Sequence, residues 1–465
     1  MGASTTGEIL LHAVASRPAA HARETAPWQP AAALLAVCLV FGGSSQGNAL
    51  PTAITELAGL AGLTYAAWRW RSVGFPPHAR LGGAFLLALA AFHLIQLAPL
   101  PPGLWALLPG RGALAGDLRL AGTADAWRPL SLTPQLTWRS LLGLLAPAAM
   151  FLLSADLSAG GLRRLAGLML AVALASVMLA TLQLAGGPYS PLRFYAITNA
   201  DSGVGFFANR NHLASLLVVS MPLAAALAVD WGLEGRRGST VRVAATLGIY
   251  LVLMVGVGVS LSRAGMLLLA PAVLASLAIA LVGRGPYRQR PAALLLVGAS
   301  VIGLFLVGAF SLAAVAQRFH QEGATDIRFQ AAPVVIQMAK AYGPVGTGFG
   351  AFESAYGAAE PVTLLLPNYL NHAHDDYLEL WLEGGVLGVA LALGFIAWWV
   401  RASVAAWWAV WRRTAGSMLP AAASAGAGLL LLHSAADYPL RTTALACVLA
   451  LFCGTLSQIR ATAPQ

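Results

Sequence analysis

Apolar residues run through this chain in stretches long enough to cross a bilayer, and polar residues fall mostly between them. A hydrocarbon core about 30 Å thick needs roughly 20 apolar helical residues. About twelve such stretches centre near residues 36, 59, 90, 147, 174, 221, 252, 274, 302, 390, 427 and 448. Backbone at that depth must bond to itself, so each stretch is predicted to be a helix. The predicted fold is all-α: a polytopic integral membrane protein with about twelve transmembrane helices, forming a single membrane domain over residues 1–465. Three polar intervals are substantial, near residues 99–138, 186–211 and 315–377. The last, a large loop before the third-last helix, is predicted to carry short amphipathic helices around Gln330 to Lys340. Shorter polar turns fall near Ser262 and Asp437. No internal repeat is visible, nor a pair of broken helices in matching halves of the kind that marks many secondary transporters.

Composition agrees with the pattern. Of 465 residues, 58% are hydrophobic and only 10% charged, which excludes a water-soluble surface. There are 28 basic residues against 18 acidic ones, a net charge of +10, and every basic residue except Lys340 is arginine. They form no cluster with aromatics, so nucleic acid is excluded as a partner and the charge reads as topology and anionic ligands. With a cytoplasmic N-terminus, the inner segments hold Arg17 and Arg23; Arg69, Arg71 and Arg80; Arg163 and Arg164; Arg236, Arg237 and Arg242; Arg284, Arg288 and Arg290; Arg401, Arg412 and Arg413; and Arg460. That is roughly 17 of the 28. The positive-inside bias then places both termini in the cytoplasm and the three long loops outside. No apolar core precedes Trp28, so the first span is expected to direct insertion itself. Cys38, Cys447 and Cys453 all sit in apolar runs, where a thiol behaves as a small hydrophobe.

The densest polar cluster runs from Asn368 to Gly388, where His372, His374, Asp375, Asp376 and Tyr377 arrive as a helix enters the membrane. Glu379 and Glu383 follow one turn apart on one face. Three readings stand: an interfacial cap with the aspartates at a helix N-terminus, a metal site, and a catalytic cluster. Positions i and i+2 do not share a helix face, which counts against metal. Gly205-Phe206-Phe207-Ala208-Asn209-Arg210-Asn211-His212-Leu213-Ala214 leads from an outer loop into a span, and Ser260-Leu261-Ser262-Arg263-Ala264-Gly265 makes a tight outer turn. Arg210 and Arg263 oppose the positive-inside bias; they either snorkel to the interface or bind phosphate with their planar donor forks. In His433-Ser434-Ala435-Ala436-Asp437-Tyr438-Pro439-Leu440-Arg441 the favoured reading is a structural Asp437–Arg441 ion pair. His93 reads as a buried structural histidine, and Gly346-Thr347-Gly348-Phe349-Gly350 as a turn without a nucleotide site.

These residues resemble the O-antigen ligase and O-antigen polymerase family of bacterial inner-membrane glycosyltransferases, which includes protein O-oligosaccharyltransferases. His374-Asp375, nine residues, Gly385, two residues and Gly388 looks like the ligase pattern of His, then Asn, Ser or Gln, nine residues and Gly-x-x-Gly; Asp375 departs from it. Arg210-Asn211-His212-Leu213-Ala214 is similar to the family's Arg-Asn-x-x-Ala stretch, and Ser262-Arg263-Ala264-Gly265 to its Ser-Arg-Gly/Ala turn. The resemblance implies a fold like the C-type glycosyltransferases. It also implies transfer of a glycan from a polyprenyl (undecaprenyl) diphosphate carrier to an acceptor hydroxyl at the periplasmic face, with inversion and with no metal or other cofactor. The partners are then the lipid-linked glycan donor, a glycan or lipid A-core acceptor and the bilayer.

In that reading His374, with an ordinary pKa near 6.5, is the catalytic base, and His372 is its rival. Arg210 and Arg263 hold the diphosphate, with Arg328 and Arg193 as lesser candidates. Asp375 or Asp376 orients His374, and Tyr377 lines the acceptor side. O-antigen or exopolysaccharide ligation or polymerisation is favoured over transfer to protein. A transporter or flippase of the same lipid-linked glycan is the competing class, but it would place ionisable groups near the midplane, whereas here they gather at the ends of spans.

Overall fold

The computed structural model describes residues 26–44, 48–234, 238–282, 290–322, 327–365 and 370–459. Arg17, Arg23, Arg236, Arg237, Arg284, Arg288 and Arg460, and Asn368 and Tyr369 of the polar cluster, lie outside the described residues.

The fold is all-α and polytopic, and each of the twelve apolar centres falls within a helix. The N-terminal part comprises α1 (Gln29–Phe41), α2 (Ala49–Val73) and α3 (Arg80–Leu97), with the short helices α4 (Pro102–Ala106) and α5 (Gly112–Leu120) in the first long loop. A two-residue ribbon, β1 (Pro99–Leu100) with β2 (Arg128–Pro129), closes that loop. Next come α6 (Pro134–Gly143), α7 (Leu145–Ser154), α8 (Ala159–Ala185), α9 (Arg210–Glu234), α10 (Ser239–Ser260), α11 (Arg263–Val282) and α12 (Arg290–Glu322). The large loop contains α13 (Ile327–Tyr342), which covers the predicted Gln330 to Lys340 segment, and α14 (Phe352–Ala359). Last are α15 (Asp376–Trp411), α16 (Leu419–His433) and α17 (Thr443–Ser457).

Eight helices among the described residues are long and apolar enough to cross a membrane, fewer than the twelve stretches expected. The difference has two causes. α2 carries Glu56, Arg69 and Arg71, and α1, α16 and α17 have 13, 15 and 15 residues. Fifteen residues rise only about 22 Å. Leu87, Leu267, Leu274 and Phe305 stand exposed on outer helix faces, as befits a protein whose solvent is lipid.

α9 is the centre of the bundle: its apolar window is wholly buried and it packs against α8, α10, α11 and α16. The two ends of the bundle differ in chemistry. At one end Ala26 donates to Asp156 O, Arg69 pairs with the Asp156 carboxylate at 3.1 Å, His78 meets Ala155 O, and Gln458 bonds to the carbonyls of Ser154 and Leu157. Arg164 lies over Trp28 there, so Arg69 and Arg164, two of the arginines expected on one face, share one end. The other end gathers the N-termini of α9, α11, α15 and α17 with the C-termini of α10 and α16.

One helix is broken. At Gly385 in α15 the backbone turns to φ 56°, in the left-handed region that glycine tolerates. Thr347 and Gly348 donate to the freed carbonyls of Leu382 and Glu383, and Val386 donates to Pro344 O. Gln96 spans the same junction, donating to Glu383 O and accepting from Phe349 N. The glycine-rich turn from Gly346 to Gly350 therefore supplies the backbone bonds that the broken helix lacks, as a membrane interior requires.

Candidate active site

The site grows from four chain segments at that second end. Asp375 caps α15, its side chain accepting from the backbone of Tyr377 and Leu378 at 2.9 and 3.0 Å. The residue before it, His374, sits at φ 53°, uncommon for a residue with a β-carbon. Conformations of this kind concentrate where a side chain must be aimed. His374 Nδ1 lies 2.8 Å from Asp437 Oδ1, on the turn that follows α16. The bond leaves Nε2 as the nitrogen that takes a proton.

The carboxylate on His374 is thus that of Asp437, where Asp375 or Asp376 was expected, and Asp437 does not form the expected pair with Arg441. Asp376 instead accepts from the Ser434 hydroxyl at 2.7 Å and lies 3.5 Å from Arg441. Arg441 also meets Glu383 at 2.9 Å and Glu379 at 3.4 Å, so the two glutamates one turn apart converge on one guanidinium. Glu379 in turn bonds His372 Nδ1 at 2.8 Å and accepts from Ala373 N.

The two histidines are shifted in opposite directions for physical reasons. Burial pushes His374 below its ordinary pKa; the Asp437 hydrogen bond works against that, and Arg328 adds to the depression. Burial also acts against a charged His372, but the Glu379 carboxylate and its hydrogen bond overcome it and hold His372 above its ordinary value. Asp437 is fully buried, which disfavours its charge, yet His374, Arg328 and His212 hold it well below the usual carboxylate range. Burial opposes the charge on Arg441 too, and its three carboxylates hold it raised.

Tyr438 forms a platform between the histidines. The rings of His212, His372 and His374 stand 5.0, 4.3 and 4.7 Å from its own. Asn209 reaches the Tyr438 hydroxyl at 3.5 Å, which brings the start of α9 beside the cluster. Arg210 follows, its guanidinium donating to Ser202 at 3.0 Å and lying 3.5 Å from the exposed carboxylate of Asp201. The Arg210 and Arg263 turns are joined directly, because the Ser262 hydroxyl donates to Asn211 Oδ1 at 2.7 Å and accepts from Gly265 N at 3.0 Å. Leu261 at φ 52° makes that turn tight.

Other sequence candidates are engaged elsewhere. The Tyr377 hydroxyl donates to Leu431 O at 2.7 Å, which ties α15 to α16. Arg193 donates to the carbonyls of Asn199, Ala200 and Ser202 and so shapes the loop before Arg210. His93 is buried, bonded to Leu89 O and Ser140 and stacked on Phe349. Among the described residues no three His, Cys, Asp or Glu side chains are grouped so as to hold a metal ion. Asp437 and Arg441 were visible only as a polar turn, since their partners lie 63 and 58 positions earlier in the chain.

No curated protein matches the chain. Residues 247–393 match a family model described as O-antigen ligase, a stretch that includes Arg263, Arg328, His372, His374 and the break in α15. Arg210 and Asp437 lie outside it. This match supports a role in surface polysaccharide ligation or polymerisation and, with the motifs read from the sequence, supports the O-antigen ligase and polymerase family for this chain.

Proposed function

We propose that the protein transfers a glycan from a polyprenyl diphosphate carrier to an acceptor hydroxyl, in ligation or polymerisation of a surface polysaccharide. The His374–Asp437 pair carries this reading: a neutral imidazole oriented by a buried carboxylate is the arrangement a general base needs. His374 Nε2 takes the acceptor's proton as the acceptor oxygen forms a bond to the anomeric carbon. The bond from that carbon to the diphosphate breaks, and the electron pair leaves with the phosphate. Attack opposite the leaving group inverts the anomeric configuration. Arg210, Arg263 and Arg328 meet the charge that gathers on the diphosphate, an electrostatic role worth most in a site shielded from water. His372, whose charged form Glu379 favours, is the weaker candidate for the base.

The arginine-bearing end opposite the site is taken as cytoplasmic by the positive-inside bias, which puts the site at the periplasmic face. Purified protein given undecaprenyl-diphosphate-linked oligosaccharide and candidate acceptors tests the proposal. Release of undecaprenyl diphosphate that disappears in His374→Ala is the expected result. A product ladder without added acceptor identifies a polymerase, a single lipid A-core adduct a ligase, and a glycosylated peptide a protein transferase. Release indifferent to His374, or none with any acceptor, overturns the reading.

A further inference from the structure

Asp437 has a second carboxylate oxygen that the reaction above does not use. It faces His433, the last residue of α16, with His433 Nε2 and Asp437 Oδ2 4.0 Å apart. Both atoms are buried and neither has a hydrogen-bond partner. On its other side His433 Nδ1 lies 2.5 Å from the Ser215 hydroxyl, which donates to Asn211 O at 3.1 Å. With its one proton given to the Asn211 carbonyl, Ser215 accepts from His433, and in that tautomer Nδ1 carries the hydrogen. Nε2 then presents either a lone pair or, in the charged ring, a second donor to Asp437. A separation of 4.0 Å is longer than a hydrogen bond and short enough for one bridging water that donates to both atoms.

The residue whose backbone carbonyl Ser215 meets, Asn211, accepts through its side-chain Oδ1 from the Ser262 hydroxyl at 2.7 Å, next to Arg263. Buried polar groups thus lie in a line from Asp437 through His433 and Ser215 to Asn211 and Ser262, with a 4.0 Å separation between Asp437 and His433 and a step through the backbone of Asn211 between Ser215 and Ser262. Burying polar groups costs free energy unless they are bonded. Apolar residues would hold α9, α11 and α16 together without that cost, so packing does not explain the path.

We propose that His433 is a positioning residue: it holds the second oxygen of Asp437 and, through Ser215 and Asn211, sets the His374–Asp437 pair in register with the turn that bears Arg263. The proposal rests on the transferase reading above. When the acceptor's proton reaches His374 the ring becomes positive beside Asp437, and a carboxylate held at both oxygens keeps facing it. Without that hold the protonated form of His374 loses support and the base weakens.

The test uses full-length protein in proteoliposomes, with undecaprenyl-diphosphate-linked oligosaccharide as donor and release of undecaprenyl diphosphate as readout. His433→Gln places an amide where Nε2 sits, towards Asp437; His433→Asn places one where Nδ1 sits, towards Ser215. His433→Asn is expected to lose about ten- to hundredfold in kcat, as a misplaced catalytic group does, with the donor KM little changed. The acid limb of its rate profile is expected to move to lower pH. His433→Gln is expected to recover most of both. Asp437, Arg328, His372 and His212 also face His374 and are unaltered in these variants.

A profile in which Asn serves as well as Gln, with the acid limb unmoved, overturns the proposal. Where His433→Asn fails to accumulate, Ser215→Ala is expected to shift the limb in the same direction by less, and an unmoved limb overturns the proposal there. His374→Ala run in parallel separates the two failures. If it is active the transferase reading falls; if it is inactive while both His433 variants match wild type, only the positioning role falls.

Discussion

The Asp437 carboxylate lies 2.8 Å from Nδ1 of His374, a residue 63 positions earlier in the chain whose own backbone is left-handed. The pair joins the start of α15 to the turn after α16 and gives the imidazole one defined tautomer. Asp437→Asn keeps the shape but removes the charge that stabilises a protonated ring. Turnover is expected to fall on the order of 10²–10⁴-fold, the range ascribed to positioned general bases, while the protein still inserts and melts at a somewhat lower temperature because the charge held by His374 and Arg328 is gone. Near-normal turnover in Asp437→Asn would separate the carboxylate from the chemistry.

The two histidines predict different pH profiles. His374 lies below the ordinary value near 6.5, so a rate that depends on its neutral form is expected to stay level from neutral pH to below 6.5 and then fall as the ring is protonated. The groups facing it are Asp437 from the turn after α16, Arg328 from α13, His212 from α9 and neighbouring His372. An acid limb clearly above pH 6.5 would instead point to His372, whose pKa is raised.

His372 also makes a stability prediction. Its folded pKa lies above its unfolded one because Glu379 holds the charged ring, so the pair's stabilisation is fully present below about pH 6.5 and is lost as pH rises through the folded value. Arg441, Glu383 and Asp376 share this cluster. The difference in melting temperature between wild type and His372→Gln is therefore expected to shrink from pH 6 to pH 9. A difference that grows with pH would reverse the assignment.

Arg441 is the only cation bonded to Glu383 among the described residues, and it also contacts Glu379 and Asp376. Arg441→Met strands buried carboxylates, a change that costs about 3–5 kcal/mol when one partner of a buried pair is removed. Thermal unfolding in detergent measures it. Arg441→Lys is expected to recover only part of the loss, because one ammonium cannot reproduce a planar fork. Full recovery by Lys would show that charge alone suffices.

The break in α15 depends on a missing side chain. A β-carbon at Gly385 would stand 2.1 Å from Pro344 O, and the φ of 56° is strained for any other residue. Gly385→Ala is expected to expel the 344–348 turn, lowering stability by at least about 1–3 kcal/mol from the backbone conformation alone and exposing the large loop to protease. Gly394→Ala, later in the same helix with nothing within 4 Å, is the control and is expected to be neutral. Equal protease resistance in the two variants would show that the turn is held by other contacts.

The helices, their approximate centres and the resemblance of the Arg210, Arg263 and His374 segments to a family were legible in the chain, because a bilayer demands long apolar runs and confines charge to their ends. The N-cap role of Asp375 was legible too, since capping acts within one turn. The partners of those charges were not. Glu379 and Glu383 announced a face but not the guanidinium that fills it, and Asp437 and Arg441 stood four residues apart as an apparent pair. Only the tertiary structure sends Asp437 to His374 and Arg441 to three carboxylates, and only it shows the glycine-rich turn mending a broken helix. Periodicity and capping are local properties of a sequence. The strength of a buried charge pair depends on distance through a low-dielectric interior, and that distance is fixed by how helices far apart in the chain pack together.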